Sequence, residues 1–139
     1  MDIDDLADTF ELLGDWEERY RYLIDLGRKL PPMPMEEHDD AHKVRGCMSQ
    51  VWLSHMRRDG PPVTLEFLGD SDAHIVKGLI AVLLGLTSGR TPREIVDMDL
   101  GAAFTRLGLE SHISMNRRNG FYSMVERIKQ LASAELSAA

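Results

Sequence analysis

From Ile75 to Leu86 the chain is apolar almost all round a helix. Ile75, Val76, Leu79, Ile80, Val82, Leu83, Leu84 and Leu86 are interrupted only by small residues and Lys77. A helix with no polar face must be enclosed by other elements. This one is also too short to span a bilayer. The rest of the chain therefore has to supply its cover. Gly78 and Gly85 would each cost about 1 kcal/mol relative to alanine in an exposed helix, which points to close packing there.

The residues just upstream supply one cover. Gln50 to Arg57 alternates, with Val51, Leu53 and His55 on one face and Trp52, Ser54 and Met56 on the other. After the turn cluster Arg58-Asp59-Gly60-Pro61-Pro62, Val63, Leu65 and Phe67 alternate with Thr64, Glu66 and Leu68. The two runs predict an antiparallel hairpin. A lone hairpin is marginal in water, so a helix must cover it or a third strand must join. The residues around Val44 offer a short edge strand. Gly69-Asp70-Ser71-Asp72 reads as a turn whose acids suit the start of the apolar helix.

Helices flank this centre. Ile3, Leu6, Phe10 and Leu13 recur at helical spacing before Gly14. Asp15, with Glu18 three residues on, opens a second helix with the stripe Trp16, Tyr20, Leu23, Gly27 and Leu30. The eight acids from Asp2 to Glu18 suit helix N-terminal turns and a solvated face. Pro31-Pro32-Met33-Pro34 stops that helix, and residues 31–46 form a long polar loop of a kind that often carries function. Beyond the apolar helix, Thr91-Pro92-Arg93-Glu94 is a strong helix start for a short helix to about Met98. Asp99 caps another to Leu107, and Ser114 opens the last, whose stripe Val125, Ile128 and Leu131 trails off after Ala132. Helices, hairpin, helices describe one α+β domain over residues 1–139, with a small antiparallel sheet.

Composition excludes several functions. The formal charge of −7 argues against a nucleic-acid groove. The acidic N-terminus lacks the basic-then-apolar order of a signal peptide, and one cysteine in 139 residues fits a reducing compartment, so a cytoplasmic protein away from membranes is expected. Scattered histidines and a single cysteine match no metal-ligand spacing.

That cysteine, Cys47, ends the long loop. A lone cysteine is more often a small buried hydrophobe than a working thiol. Gly46 before it gives backbone freedom, and the loop gives mobility, as a nucleophile needs. Met48, Val51 and Trp52 after it favour a buried, neutral thiol. A cysteine that switches between buried and exposed positions satisfies both signals. His38 and His42 are each a candidate base or mere loop polarity. His55, His74 and His112 read as structural or surface residues. Arg117-Arg118-Asn119 opens the last helix against its macrodipole, either as a solvated turn or a salt bridge to the acidic helices, or as an electrostatic contact with a partner or a loop near the cysteine.

The stretch Arg45-Gly46-Cys47-Met48-Ser49-Gln50-Val51-Trp52 resembles the cysteine motif of the SufE/CsdE proteins. Three further stretches agree. They are Trp16-Glu17-Glu18-Arg19-Tyr20 with Leu26-Gly27 and Leu30-Pro31, then Gly69 to Ala73 with Ile75 to Leu79, and His112 through Arg117-Arg118-Asn119-Gly120. The likeness runs in order over about residues 16–131. It implies a fold like that of the scaffold protein IscU. It implies that Cys47 accepts sulfur from a PLP-dependent cysteine desulfurase, SufS- or CsdA-like, as a persulfide. The carrier would stimulate that partner and hand sulfur to a cluster scaffold or another acceptor. It would be an accessory protein without a cofactor of its own rather than a stand-alone enzyme. The same likeness puts Gly46 and Gln50 in the cysteine loop, Asp72 in holding that loop at rest, and Arg117, Asn119 and Gly120 at the partner-facing surface. Met48 and the bulky Phe121-Tyr122 depart from the family pattern. The competing readings are a single-cysteine thiol peroxidase or transferase, and an interaction module with an inert cysteine.

Overall fold

The apolar run becomes α3, His74–Thr87, at the middle of the computed structural model, which describes residues 2–138. Leu79 and Ile80 are 0% exposed, and each such side chain contributes about 1.5–3 kcal/mol by leaving water. In chain order the remaining elements are α1 (Ile3–Leu13), α2 (Trp16–Arg28), β1 (Val51–Arg58), β2 (Thr64–Ser71), α4 (Pro92–Asp97), α5 (Leu100–Arg106) and α6 (Met115–Ala138). Helices and hairpin share one hydrophobic core, the α+β arrangement expected.

α2 lies against α3 at near backbone contact. A Cβ added to Gly78 would sit 2.4 Å from the Leu23 carbonyl oxygen, and one added to Gly27 would sit 2.7 Å from the Gly78 nitrogen. Glycine is needed at this crossing because nothing larger fits. Gly85, for which the same was expected, is only half-buried.

The hairpin pairs Val51 with Ser71 at one end and Arg58 with Thr64 at the other. Val51, Leu53, Leu65 and Phe67 are buried on its inner face. Three expectations are corrected around it. Gly69-Asp70-Ser71 is not a turn but the last part of β2, because its backbone pairs with Leu53, Trp52 and Val51 of β1. α3 then starts without an acidic cap: Ala73 stands at its N-cap and no side chain caps it. The edge strand around Val44 shrinks to one bridge, Lys43 to Trp52, with Val44 N–H donating to the Val51 carbonyl at 2.8 Å. The other edge is closed the same way by Arg90 against Leu65. These contacts cover the outer edge of β1 from Val51 to Leu53 and that of β2 from Leu65 to Phe67.

Thr91 and Glu94 form the reciprocal capping box read from the sequence. The box at Asp15 is half made: Asp15 accepts from the Glu18 N–H, while the Glu18 carboxylate goes to Arg21. α6 does not fray after Ala132 but runs to Ala138. Alanine is the best helix former, and Glu135 is anchored by His55 at 3.1 Å. Its other end is fixed by Ser114, whose hydroxyl accepts from the Arg117 N–H. Lys129 donates to the Val96 and Met98 carbonyls at the end of α4, which ties α4 to α6. Phe121 stacks on Phe104 of α5 at 4.4 Å between centroids, so its bulk is absorbed in the core. No helix among the described residues is long and apolar enough to cross a membrane.

Candidate functional site

The long loop after α2 touches the outer face of the hairpin at His38, follows the edge of β1 from His42 to Val44 and delivers Cys47 to the first turns of α6. His38 is the fastening. Its Nε2 lies 2.7 Å from Asp70 Oδ2, its Nδ1 lies 3.0 Å from the Pro34 carbonyl, and its ring meets Trp52 edge-on at 4.8 Å. The hydrogen bond with Asp70 raises the His38 pKa despite the opposing effect of burial. Burial alone would raise the Asp70 carboxyl. The bonds from His38 and the Ser71 N–H, with Lys77 close by, hold it below the usual carboxylate range instead. His42 is likewise engaged with Asp39, at 2.7 Å. Both histidines weighed as bases for the thiol therefore have carboxylate partners, and neither lines the cysteine pocket.

Gly46 brings the chain in at φ +88°, a left-handed conformation that side chains rarely adopt. Its Cα faces α6 so closely that an added Cβ would stand 2.6 Å from Ser123 Oγ. Cys47 then lies over Gly120, where an added Cβ would be 3.5 Å from Sγ. The thiol points to the Gly120 carbonyl at 3.6 Å. Cys47 is half-buried, and that burial pushes its thiol pKa up. Beyond it the loop is tied to the hairpin end. Asp72 Oδ1 accepts the Gln50 N–H at 3.1 Å, and the Gln50 carbonyl accepts the Asp72 N–H at 3.3 Å.

A pocket of about 20 Å³ opens beside the sulfur. Met48, Val51, Val76, Leu79 and Met124 make its apolar walls, and Ser49, Asn116, Arg117 and Gly120 complete it. The apolar flank expected for Cys47 is thus partly right. Val51 is fully buried, but Met48 is 80% exposed.

The structure gathers Gly46, Cys47, Gln50, Asp72, Arg117 and Gly120 in one place. Asn119 stays outside this group, exposed on α6 and absent from the pocket wall. The ion pairs suggested between Arg117 or Arg118 and the acidic helices do not form among the described residues. Asp4 pairs with Arg106 instead, and Glu17 and Glu18 pair with Arg21. Sequence reasoning missed Ser123, Asn116 and Met124. Their signal was present as the spacing of Asn116, Gly120, Ser123 and Met124 along one helical face. The His38–Asp70 fastening, across 32 residues, had no local signal.

The arrangement is a single half-buried thiol on a loop tied down at His38, at His42 and Val44, and at Gln50. Burial that raises a thiol's pKa lowers the thiolate share that reacts. The comparisons agree with this geometry. The family model described as "SufE: Fe-S metabolism associated domain" matches residues 4–132. An uncharacterised SufE-like protein of Rhizobium meliloti (strain 1021) is 45% identical over 137 residues, covering 98% of each chain. Another, from Rhizobium etli, is 44% identical over 137 residues, covering 98% of this chain and 93% of that one. The solution structure of a hypothetical protein from Thermus thermophilus superposes with a TM-score of 0.74 at 20% identity, over 95% of this chain and 96% of that one, and shares the fold. A match across nearly the whole chain, with a lone cysteine on a glycine-hinged loop, makes this protein a member of the SufE family.

Proposed function

We propose that the protein is a sulfur acceptor and carrier that works on a PLP-dependent cysteine desulfurase, SufS- or CsdA-like, in the cytoplasm. The Cys47 thiolate attacks the outer sulfur of the donor's cysteine persulfide. A new S–S bond forms at Cys47, and the donor S–S bond breaks. The donor cysteine leaves as a thiolate and takes up the proton that Cys47 gave. The step is thiol–disulfide exchange in kind, so no external oxidant or reductant is consumed. Unloading the donor frees it for another turnover, which is how the carrier stimulates it. The sulfur then passes to a cluster scaffold or another acceptor by the same reaction in reverse roles.

The observation that carries this reading is the space beside Cys47 Sγ. About 20 Å³ holds one water-sized body, and a sulfane sulfur is of that order. Its walls are mostly apolar, which shields a persulfide from reductants. Resting burial raises the thiol's pKa and so lowers its thiolate share. Displacement of the loop removes that burial and restores thiolate character when the donor is present.

Desulfurase turnover tests the proposal. Alanine release from cysteine by a SufS- or CsdA-like enzyme is expected to rise with added carrier and to stay at its basal rate with Cys47→Ser. Unchanged release with the wild-type chain, or equal stimulation by Cys47→Ser, overturns it.

A further inference from the structure

Many cations of this chain are paired, Lys77 with Asp70 among them, while Lys29 and Arg93 stand singly at exposed sites. Arg21, Arg28, Arg57, Arg58, Arg90 and Arg106 each sit within ion-pair distance of a carboxylate. Around the cysteine four cations without a carboxylate partner lie together. Lys43, Arg45 and Arg127 line one groove with Val44, Ser123, Glu126 and Gln130, and Arg117 lines the thiol pocket on the other side of the loop. None of these four pairs with a carboxylate among the described residues. Glu126 is the one acid in the groove wall. Arg127 Nη2 reaches the Ala41 carbonyl at 3.3 Å, while its Nε and Arg117 Nη1 are buried without a partner.

In a chain of net charge −7 carboxylates are plentiful, yet none among the described residues pairs with these four cations. They also share a geometry. Arg117, Gly120, Ser123 and Arg127 follow one face of α6, with the Gly46-Cys47 loop lying over Gly120 and Ser123. Ten residues of helix put Arg117 and Arg127 about 15 Å apart along the axis. A positive rim thus brackets the thiol.

We propose that this rim docks a carboxylate-rich surface surrounding the donor's persulfide, with Arg45 and Arg127 as its main contacts. The inference rests on the sulfur-acceptor reading and adds the chemistry of the partner's face. Oppositely charged rims steer encounter and fix orientation more than they add tight contacts. Cationic groups without internal partners lose little on docking, because no existing ion pair has to break. The partner must be a compact acidic rim, because the overall charge of the carrier is itself negative.

The test is desulfurase turnover against carrier concentration with Arg45→Glu/Arg127→Glu, at several salt concentrations. The carrier's KM is expected to rise about tenfold with little change in kcat, and its dependence on salt to flatten. Arg45→Glu alone, at an exposed residue, is expected to raise KM about threefold, which keeps the test valid if the Arg127 change perturbs the loop. Lys29→Glu/Arg93→Glu alters net charge equally at remote exposed sites and is expected to leave KM unchanged. KM and salt dependence at wild-type values in the Arg45 variants, or an equal rise in the remote variant, overturns the proposal. Sodium polysulfide separates this from the reading beneath it. The Arg45 variants should still gain sulfur from it at Cys47, whereas a wild-type chain that takes no sulfur from the desulfurase defeats the acceptor reading itself.

Discussion

Gly46→Ala should make Cys47 more reactive, and the size of the effect follows from the backbone. Gly46 sits at φ +88°. An L side chain in left-handed backbone costs about 1–2 kcal/mol. The new methyl would also lie 2.6 Å from Ser123 Oγ. That oxygen is the end of a side chain and can rotate away, so the steric contribution is small. One effect opposes these. Alanine has less freedom than glycine in a displaced loop, which favours the resting state by about 0.4–1 kcal/mol. The backbone cost wins by about 1 kcal/mol, or roughly fivefold in the population of displaced loop. Iodoacetamide alkylation at neutral pH, followed by intact mass, reads that population directly. The variant should react about fivefold faster, with a pH midpoint below that of the wild type as burial is relieved. In a Ser123→Ala background most of the acceleration should persist, because its origin is the backbone. A rate equal to wild type would show that the left-handed hinge does not hold the thiol, and the argument for gating at Gly46 would fail.

Other consequences can be checked alongside. Asp72→Ala removes the acceptor for the Gln50 N–H and should speed the same alkylation about two- to threefold, the low end for an exposed hydrogen bond; a slower reaction would contradict the tether. Gly78→Ala would put a methyl 2.4 Å from the Leu23 carbonyl oxygen, where neither backbone can yield. It should cost about 3 kcal/mol in urea unfolding, and a loss under about 1 kcal/mol would mean α2 and α3 separate easily. His38→Asn should destabilise the fold most at low pH. The pKa of His38 is raised in the folded state, so its contribution is complete below the ordinary imidazole range and is lost as pH rises through the raised value. Asp70, held low, carries the opposite limb, and its share is lost as pH falls through its lowered value. Unfolding curves of wild type and variant should converge as pH rises past the raised His38 value, and a gap that widens with pH would refute the fastening.

What could be read from the chain was whatever had a local cause. The all-round apolar pattern of residues 75–86 has one stable solution, an enclosed helix, and Gly78 marked where its neighbour comes closest. Thr91 and Glu94 announced their capping box because both partners lie within one turn. The misreadings share an opposite cause. Gly69-Asp70-Ser71 carries turn residues, yet it stays in the strand because its backbone pairs with Val51 to Leu53, about twenty residues away in sequence. The alanines after Ala132 look like a fraying end until Glu135 meets His55 on β1. Cys47 was legible as the special residue, since a glycine and a long loop precede it. Its environment was not, because Asn116, Ser123 and Met124 reach it only once α6 has been laid across the loop. Arg117 and Arg118 looked like partners for the acidic helices by charge alone, and charge without distance decides little.

The central claim is that Cys47 carries sulfur, and the mass of the intact chain tests it most directly. The protein is incubated with a PLP-loaded cysteine desulfurase and cysteine, and weighed without reductant. The account predicts a gain of one sulfur atom, removed by a thiol reductant and absent in Cys47→Ser. An unchanged mass for the wild-type chain while the desulfurase is turning over, or the same gain in Cys47→Ser, would contradict it.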